Sequence, residues 1–546
     1  MDCGVKEQPH CSSLDQSFTL SCTILDTETH GFTEYVMSVR SGFGSVERSW
    51  MVRRRFREFR QLHDELCLSW LPLDLPKKQL FGNKSPAFIA VRKAALQRYL
   101  DQLLSHLMLA TSSAIWYFLT PDEVVNTFRD QASQAVSIAL RNLKGWDIKK
   151  AWQNAGWRCN KSFYLVQSVH GRRRTDVLSW ISSQKRASTD TSDVRASLNF
   201  LVRLNHPHIV APLFTWCNSD GVLLVYPFLP DGMFRDQFCK ARPDKPYLAK
   251  FLNPESVYPL GLDDIRHVGR HLLEALAFLK KLGIPHGNLH ASNVAVLNSG
   301  CVLTDVEAGV LLQRSYYWPL MVQLRGIQTM EHIDVYCFGH MIFELATGDA
   351  LMQPCIPPSA PLPCHRTIRA LIHSLLSEES IQSGLPSLAD LIDNELFRGV
   401  KVNKPQANEV IMPVAVKRVC EQSTQRLLAD LHEHQAEYRK AVRTHRVQAF
   451  LNSDEHRKIR RRAAARQWSL TGADSLPVNS SADADSSLAR QEWSPSPVLS
   501  EADTSHAKDN REQTDQKSSP SLPKAPSVSP TDSDRPQQAT PSIHID

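Results

Sequence analysis

From Trp468 to Asp546 the chain is dominated by serine, proline and aspartate, with S-P-S-P, S-S-P and T-P runs. Such a segment buries too little apolar surface to offset the entropy of ordering it, so 468–546 is expected to be a disordered tail with Ser-Pro sites open to phosphorylation. Folding is thereby confined to the residues before it, a length that holds two or three domains with real cores. The formal charge of +6 is a mild excess. It suits an anionic membrane surface and is too small to argue for nucleic acid. Twelve cysteines lie scattered without C-x-x-C pairs or histidines at zinc spacing, so they read as reduced, mostly buried thiols. The first ten residues, M-D-C-G-V-K-E-Q-P-H, hold no apolar run, and Asp2 stands where N-myristoylation needs glycine. The longest apolar run, Gly221 to Pro230, is too short to span a bilayer. The expectation is a cytoplasmic chain whose membrane contact is peripheral.

After a flexible segment 1–17, strand-like runs at Phe18–Leu25 and Thr33–Arg40 lead through Gly42 and Gly44 to V-R-R-R-F-R-E-F at Val52–Phe59. Arginine carries a fixed fork of donors that fits phosphate oxygens in pairs, and a neighbouring aromatic face stacks on an apolar ring face. A ligand with both features is a phosphorylated, sugar-like ring. A helix is expected over Phe59–Cys67, then L-P-L-D-L-P-K-K with Lys77 and Lys78. A second helix follows, with Phe88, Val91, Ala95, Tyr99 and Leu103 on one face and Arg92 beside it.

Three strands, a helix, a proline-bounded loop and another helix resemble the PX (phox-homology) phosphoinositide-binding domain, here 18–125. The resemblance implies that Arg55 grips the 3-phosphate of an inositol headgroup and that Phe56 packs under its ring. It implies Lys78 near the 1-phosphate and Arg92 on the ring hydroxyls. Leu80 and Phe81, among Lys77, Lys78 and Lys84, fall in the family's membrane-inserting loop; they serve equally as ordinary core residues.

A connector is read over 126–156, with a tryptophan-rich end. Beyond it, strands are expected at Phe163–Val169, Val177–Ile181 and Val222–Phe228, with a helix at Ala196–Leu204. A longer helix, Ile265–Leu282, starts from the capping candidate Asp263 and stops at Gly283. N-H-P-H-I-V, H-G-N-L-H-A-S-N (His286–Asn293), Asp305-Val306-Glu307 and D-V-Y-C-F-G (Asp334–Gly339) follow in an order similar to the protein-kinase fold. The likeness covers 157–397, and with the first module it implies an α+β multidomain chain.

Kinase chemistry needs a phosphate cradle, a lysine–glutamate pair, a base and metal ligands held together. Here Arg158 to Val169 has no glycine, and V-L-S-W places Trp180 at the lysine of V-A-I-K. Ser197 falls near the glutamate, Asn288 at the catalytic aspartate and His290 at the lysine two residues on. Asparagine takes no proton from a hydroxyl, and general-base help is worth on the order of 10²–10⁴ in rate. Asn293 and Asp305 remain at metal-ligand positions, which leaves residual Mg-ATP binding open; they serve equally as hydrogen-bonding struts. Glu307 either adds a ligand or repels phosphates, and Asp334 is expected to tie amides of the H-G-N loop.

Over 398–467 a helical run from about Val414 to Leu451 has irregular apolar spacing, and His456–Arg466 is basic, a solvated helix end or a second contact with anionic lipid. Together the modules resemble the PX-domain-containing serine/threonine kinase-like family. That resemblance implies a membrane-recruited pseudokinase scaffold on endosomal and plasma membranes, binding phosphatidylinositol 3-phosphate. It implies protein partners such as membrane cargo or subunits of the sodium/potassium pump. The alternative is an atypical active kinase using His290 as a substitute base. The family's actin-binding motif would need an amphipathic helix followed by L-x-K-[TV], which this tail lacks.

Overall fold

The computed structural model describes residues 16–18, 20–66, 72–79, 85–153, 155–169, 173–182, 191–243, 245–251, 258–297, 300–402 and 411–470. The expectations for 1–15 and for the tail beyond 470 lie outside them, as do Leu80 and Phe81.

β1 (Leu20–His30), β2 (Phe32–Ser41) and β3 (Arg48–Arg55) form an antiparallel sheet in that order. Alternation sets its buried face: Leu20, Cys22 and Ile24 on β1, Met37 and Val39 on β2, Trp50 and Val52 on β3. The β2–β3 turn needs glycine at 42. Its φ is +86°, and a Cβ there would sit 2.6 Å from the Val46 carbonyl oxygen. Helices α1 (Phe56–Leu66), α2 (Pro86–Ser105), α3 (Leu107–Ala110) and α4 (Ser113–Phe118) close this domain. Ser85 caps α2 by accepting from Phe88 N at 3.3 Å.

One expectation about α2 is corrected. Its inward face carries Arg92, Leu96, Tyr99, Leu100, Leu103 and Leu104, whereas Val91 is 70% exposed. The first turns of α2 wall an open groove instead of the core, so there the inward group is a guanidinium.

The next segment is part of the second sheet, not a connector. α5 (Asp122–Leu143) lays Ala132, Val136, Ala139 and Leu140 on that sheet, and its first strand is β4 (Trp146–Ala151). With β5 (Lys161–Ser168), β6 (Thr175–Ser182), α6 (Thr191–Leu201), β7 (Phe214–Cys217) and β8 (Gly221–Pro227), the strand order is β4-β5-β6-β8-β7, all antiparallel. The turn from β4 to β5 runs over 152–160 and holds one glycine, Gly156. It is therefore still not glycine-rich.

A helical lobe follows: α7 (Phe234–Phe238), α8 (Tyr247–Phe251), α9 (Leu262–Leu282), the hairpin β9 (Val294–Leu297) and β10 (Gly300–Leu303), then α10 (Trp318–Met321), α11 (Met330–Thr347), α12 (Arg366–Leu376), α13 (Glu378–Ser383) and α14 (Leu388–Ile392). The cap of α9 is Gly261, not Asp263, and Gly283 ends it at φ +73°.

The 39-residue α15 (Val414–Asn452), followed by α16 (Asp454–Leu470), runs against both domains. Gln435 Nε2 donates to the Leu324 and Ile327 carbonyls (2.5 and 3.1 Å), and Trp318 Nε1 donates to His434 (3.1 Å). On the three-stranded domain, Ser45 N donates to Glu437 at 3.0 Å, and the Phe43 and Tyr438 rings meet edge to face at 5.4 Å. Arg314 ties Ser17 (2.7 Å) to Asp430 (2.5 Å). The irregular apolar positions of this helix thus meet two different surfaces instead of one coiled-coil seam. Among the described residues, no helix is long and apolar enough to cross a membrane.

Within α11, His340 is 1% exposed, and neither ring nitrogen has a partner among the described residues. Burial pushes its pKa from 6.5 down to about 3. Between those values the unfolded chain binds a proton that the folded chain refuses, so stability is lost as pH falls below 6.5. A His340→Phe chain keeps ring contacts with Tyr317 and Tyr336 and should lose melting temperature less steeply from pH 6.5 to pH 4. An unchanged slope would assign the acid sensitivity to other groups.

Candidate functional site

A groove in the first domain and a cavity in the second each gather polar side chains. The first is at the junction of β3, α1 and α2. Arg92 is 8% exposed, and its guanidinium lies 4.2 Å from the centroids of both the Phe56 and Phe88 rings. Its Nε has no partner among the described residues. Arg92 and Phe88 line a groove of about 400 Å³ whose other wall is Pro76, Lys77, Lys78 and Gln79. Both lysines are exposed. The structure therefore brings Phe56, Lys78 and Arg92 together. An aromatic sandwich around a buried guanidinium holds it in place without using up its donors.

Arg55, one residue ahead of Phe56, is turned elsewhere. Its Nε bonds Glu34 at 3.2 Å, and its guanidinium sits 3.4 Å from the Phe32 ring centroid. Its side chain remains about half exposed. Arg54 has a different job altogether: it is buried and donates to the Phe118 and Thr120 carbonyls at 2.8 and 2.7 Å. The arginine run thus divides by strand alternation into an inward strut and outward charges.

The second place is a cavity of about 180 Å³ between the five-stranded sheet and the helical lobe. Here the expected position of the missing lysine is corrected. Directly opposed residues share a face, and Ser179 opposes Phe163, both lining the cavity. Trp180 points the other way, into the packing under α5, with the Trp216 ring 6.5 Å away. A slip of one residue moves a side chain across the sheet, so Ser179, not Trp180, occupies the place in the cleft.

The cleft nevertheless contains an ammonium. Lys161, the first residue of β5, is 8% exposed on its side chain and bonds Asp305 at 2.6 Å and Glu307 at 3.1 Å. Burial works against its charge, but Asp305 and Glu307 outweigh it and hold the lysine pKa above its ordinary value. Burial disfavours the Asp305 carboxylate as well, yet Lys161 and then Arg158 hold it below the usual range. Glu307 is pushed up, first by burial and then by Asp305, and the Tyr226 hydroxyl donates to it. Sequence reasoning missed Lys161 because the strand was started at Phe163. The alternation Lys161, Phe163, Leu165 was the available signal.

The loop residues are equally committed. Asn288 Nδ2 donates to Asp305 at 2.8 Å, and its Oδ1 accepts from Tyr316 N at 3.0 Å. Asn293 Oδ1 accepts from His290 N (3.0 Å), while its Nδ2 donates to the Asn288 carbonyl. Asp334 accepts from Gly287 N at 2.8 Å, tying the loop amide as expected. Burial keeps His290 neutral, far below its usual pKa, and its Nδ1 accepts from Ser292 N (3.2 Å). Ser197, on α6, turns its hydroxyl back to the Asp193 carbonyl at 2.9 Å and offers the cleft no carboxylate.

A magnesium ion does not fit the Asn293–Asp305 pair as it stands. Both polar atoms of Asn293 are used inside the loop, and the two Asp305 oxygens go to Lys161 and Asn288. Among the described residues no cluster of three or more histidine, cysteine or acidic side chains is arranged for a metal. The cleft holds an ion pair where a kinase holds metal-bridged phosphates.

The PX domain family model matches residues 44–122. The PX domain-containing protein kinase-like protein of Mus musculus is 30% identical over 432 residues, 77% of this chain and 73% of that protein. The Slowpoke-binding protein of Drosophila melanogaster is 31% identical over 297 residues, 50% of this chain and 57% of that one. A Dictyostelium discoideum protein named probable inactive serine/threonine-protein kinase slob1 is 25% identical over 47% of this chain and 48% of its own.

Proposed function

Because the chain belongs to the PX domain-containing protein kinase-like family, we propose that it is a phosphoinositide-binding, membrane-recruited pseudokinase scaffold. The observation that carries the lipid half is the groove in which a buried, aromatic-flanked Arg92 faces Lys78. Arg55 completes the site by exchanging Glu34 for a phosphate, as a half-exposed ion pair of small net worth permits. Phosphatidylinositol 3-phosphate on endosomal and plasma membranes is the headgroup this reading selects. The scaffold half is supported by the cleft: Asn288, at the position of the kinase base, is an amide locked by Asp305 and Tyr316 and takes no proton from a hydroxyl, and the Asp305 carboxylate is held by Lys161 and Asn288. A relative named for binding Slowpoke, and another named probably inactive, support a surface that works by holding partners. Membrane cargo and ion-pump subunits are the partner class we assign, with trafficking and pump modulation as the outcome.

The test is flotation of the full chain with vesicles carrying phosphatidylinositol 3-phosphate. Arg55→Ala should lower affinity by at least about tenfold, the scale of one charge-assisted contact, with an unchanged melting temperature. Undiminished binding by Arg55→Ala would exclude this headgroup site. Lys78→Ala should weaken binding less and chiefly at low salt, since an exposed lysine acts as a screened point charge.

A further inference from the structure

The cleft between the five-stranded sheet and the helical lobe carries more than a lost kinase site. Lys161 brings an ammonium from β5 to a point bonded to both Asp305 and Glu307. In a working kinase the equivalent carboxylate holds a metal ion, and a lysine one strand over reaches the phosphates. Here one amine stands at the carboxylates, and the residue one strand over is Ser179. The ammonium has three protons, two of which these contacts use.

The cavity also has unfilled polar capacity. Ser179 Oγ, in a residue 2% exposed, has no partner among the described residues, nor has Ser292 Oγ; both residues line the cavity. A buried hydroxyl without a partner is costly, so the two on this small cavity are open donors for the polar atoms of a bound group. Val177, Val210, Phe228 and Met233 give the cavity an apolar stretch of wall, while Arg158 and the Lys250–Asp236 ion pair also line it. A cation at one end, two open hydroxyls and an apolar slot fit a ligand with a flat ring and an anionic tail.

We propose that Lys161 is a tethered cation standing in for the divalent ion, so that this cleft takes a nucleotide without metal. The lysine's remaining proton and the hydroxyls of Ser179 and Ser292 receive the phosphate oxygens, while the ring lies between Val177 and Met233. The commitment of Asn293 to its own loop follows, because no ion needs it. This proposal stands apart from the lipid reading, since neither its residues nor its readout involves the groove.

The experiment uses the full chain and two probes, ATP and manganese. Calorimetric titration with ATP should give the same affinity in excess EDTA as in magnesium, and electron paramagnetic resonance should detect no manganese bound to the wild-type chain. Lys161→Met, which uncovers the Asp305 and Glu307 carboxylates, should lose at least about tenfold in ATP affinity and gain manganese binding. Lys161→Arg keeps the charge and should keep metal-free binding. Manganese bound to the wild type, ATP binding abolished by EDTA, or no ATP binding at all would each overturn the proposal. The wild-type measurements decide it even where Lys161→Met fails to fold.

Discussion

An Arg54→Ala chain is expected to lose about 2–6 kcal/mol of stability, the cost of leaving two buried carbonyl oxygens without a donor at about 1–3 kcal/mol each. Arg54 and Arg55 are neighbours of one type, yet alternation on β3 sends them to opposite sides of the sheet. Arg54 is 5% exposed and reaches the carbonyls of Phe118 and Thr120, where the end of α4 leaves oxygens unmet by helix bonds. It also pairs with Asp122 at 2.9 Å, at the start of α5, but that carboxylate is largely exposed and adds little. The dominant effect is therefore the orphaned carbonyls and the space left behind. Urea unfolding followed by tryptophan fluorescence, with Trp50 and Trp116 as local reporters, would measure it. A loss below about 1 kcal/mol would mean that water replaces the guanidinium at no great cost.

Arg235→Ala should be of similar size, and it acts at a contact in the other domain. Arg235 and Glu344 are each about 5% exposed and bonded at 2.7 Å, joining α7 to α11, with the Tyr247 hydroxyl 3.2 Å from the guanidinium. Removing the arginine leaves a buried carboxylate without its cation, which costs about 3–5 kcal/mol, or a fall in melting temperature on the order of 10 °C for a domain of this size. The double change Arg235→Met with Glu344→Leu should recover much of that loss, because the charge that suffers is then gone. If the double variant were as unstable as the single one, shape and not charge would set the requirement. Calorimetric scans of the three chains would separate the two causes.

Both domains could be read from the sequence because each rests on periodicity or on an ordered series of short fragments. Strands β1 and β2, the helix α9 and the end of α9 at Gly283 needed only alternation, helical spacing and a left-handed stop. What escaped was register. V-L-S-W fits a buried strand in either phase, since all four residues are apolar or small, and only its partner β5 fixes which side Ser179 and Trp180 face. Arg92 was misplaced for a related reason: helical spacing sorts residues by polarity, and a guanidinium between two aromatic rings looks polar while sitting inside. Lys161 and Glu307 meet across 146 positions of chain, a pairing that no local pattern announces.

The span of α15 across both domains has a thermodynamic consequence. Phe18, Phe43, Ser45 and Ser17 on one side and Arg314, Trp318 and Leu324 on the other are held by contacts that include the same two turns of helix, from Asp430 to Tyr438. Cooperative unfolding then embraces the Arg92 groove and the cleft together, and a ligand at either place is linked to the other. Saturating the groove at a hundredfold excess over its dissociation constant would stabilise the folded state by about 2.7 kcal/mol, and a shared cooperative unit transmits that gain to the helical lobe. Any preference that a bound partner imposed on the orientation of the lobe would be returned, in equal free energy, as a preference for membrane.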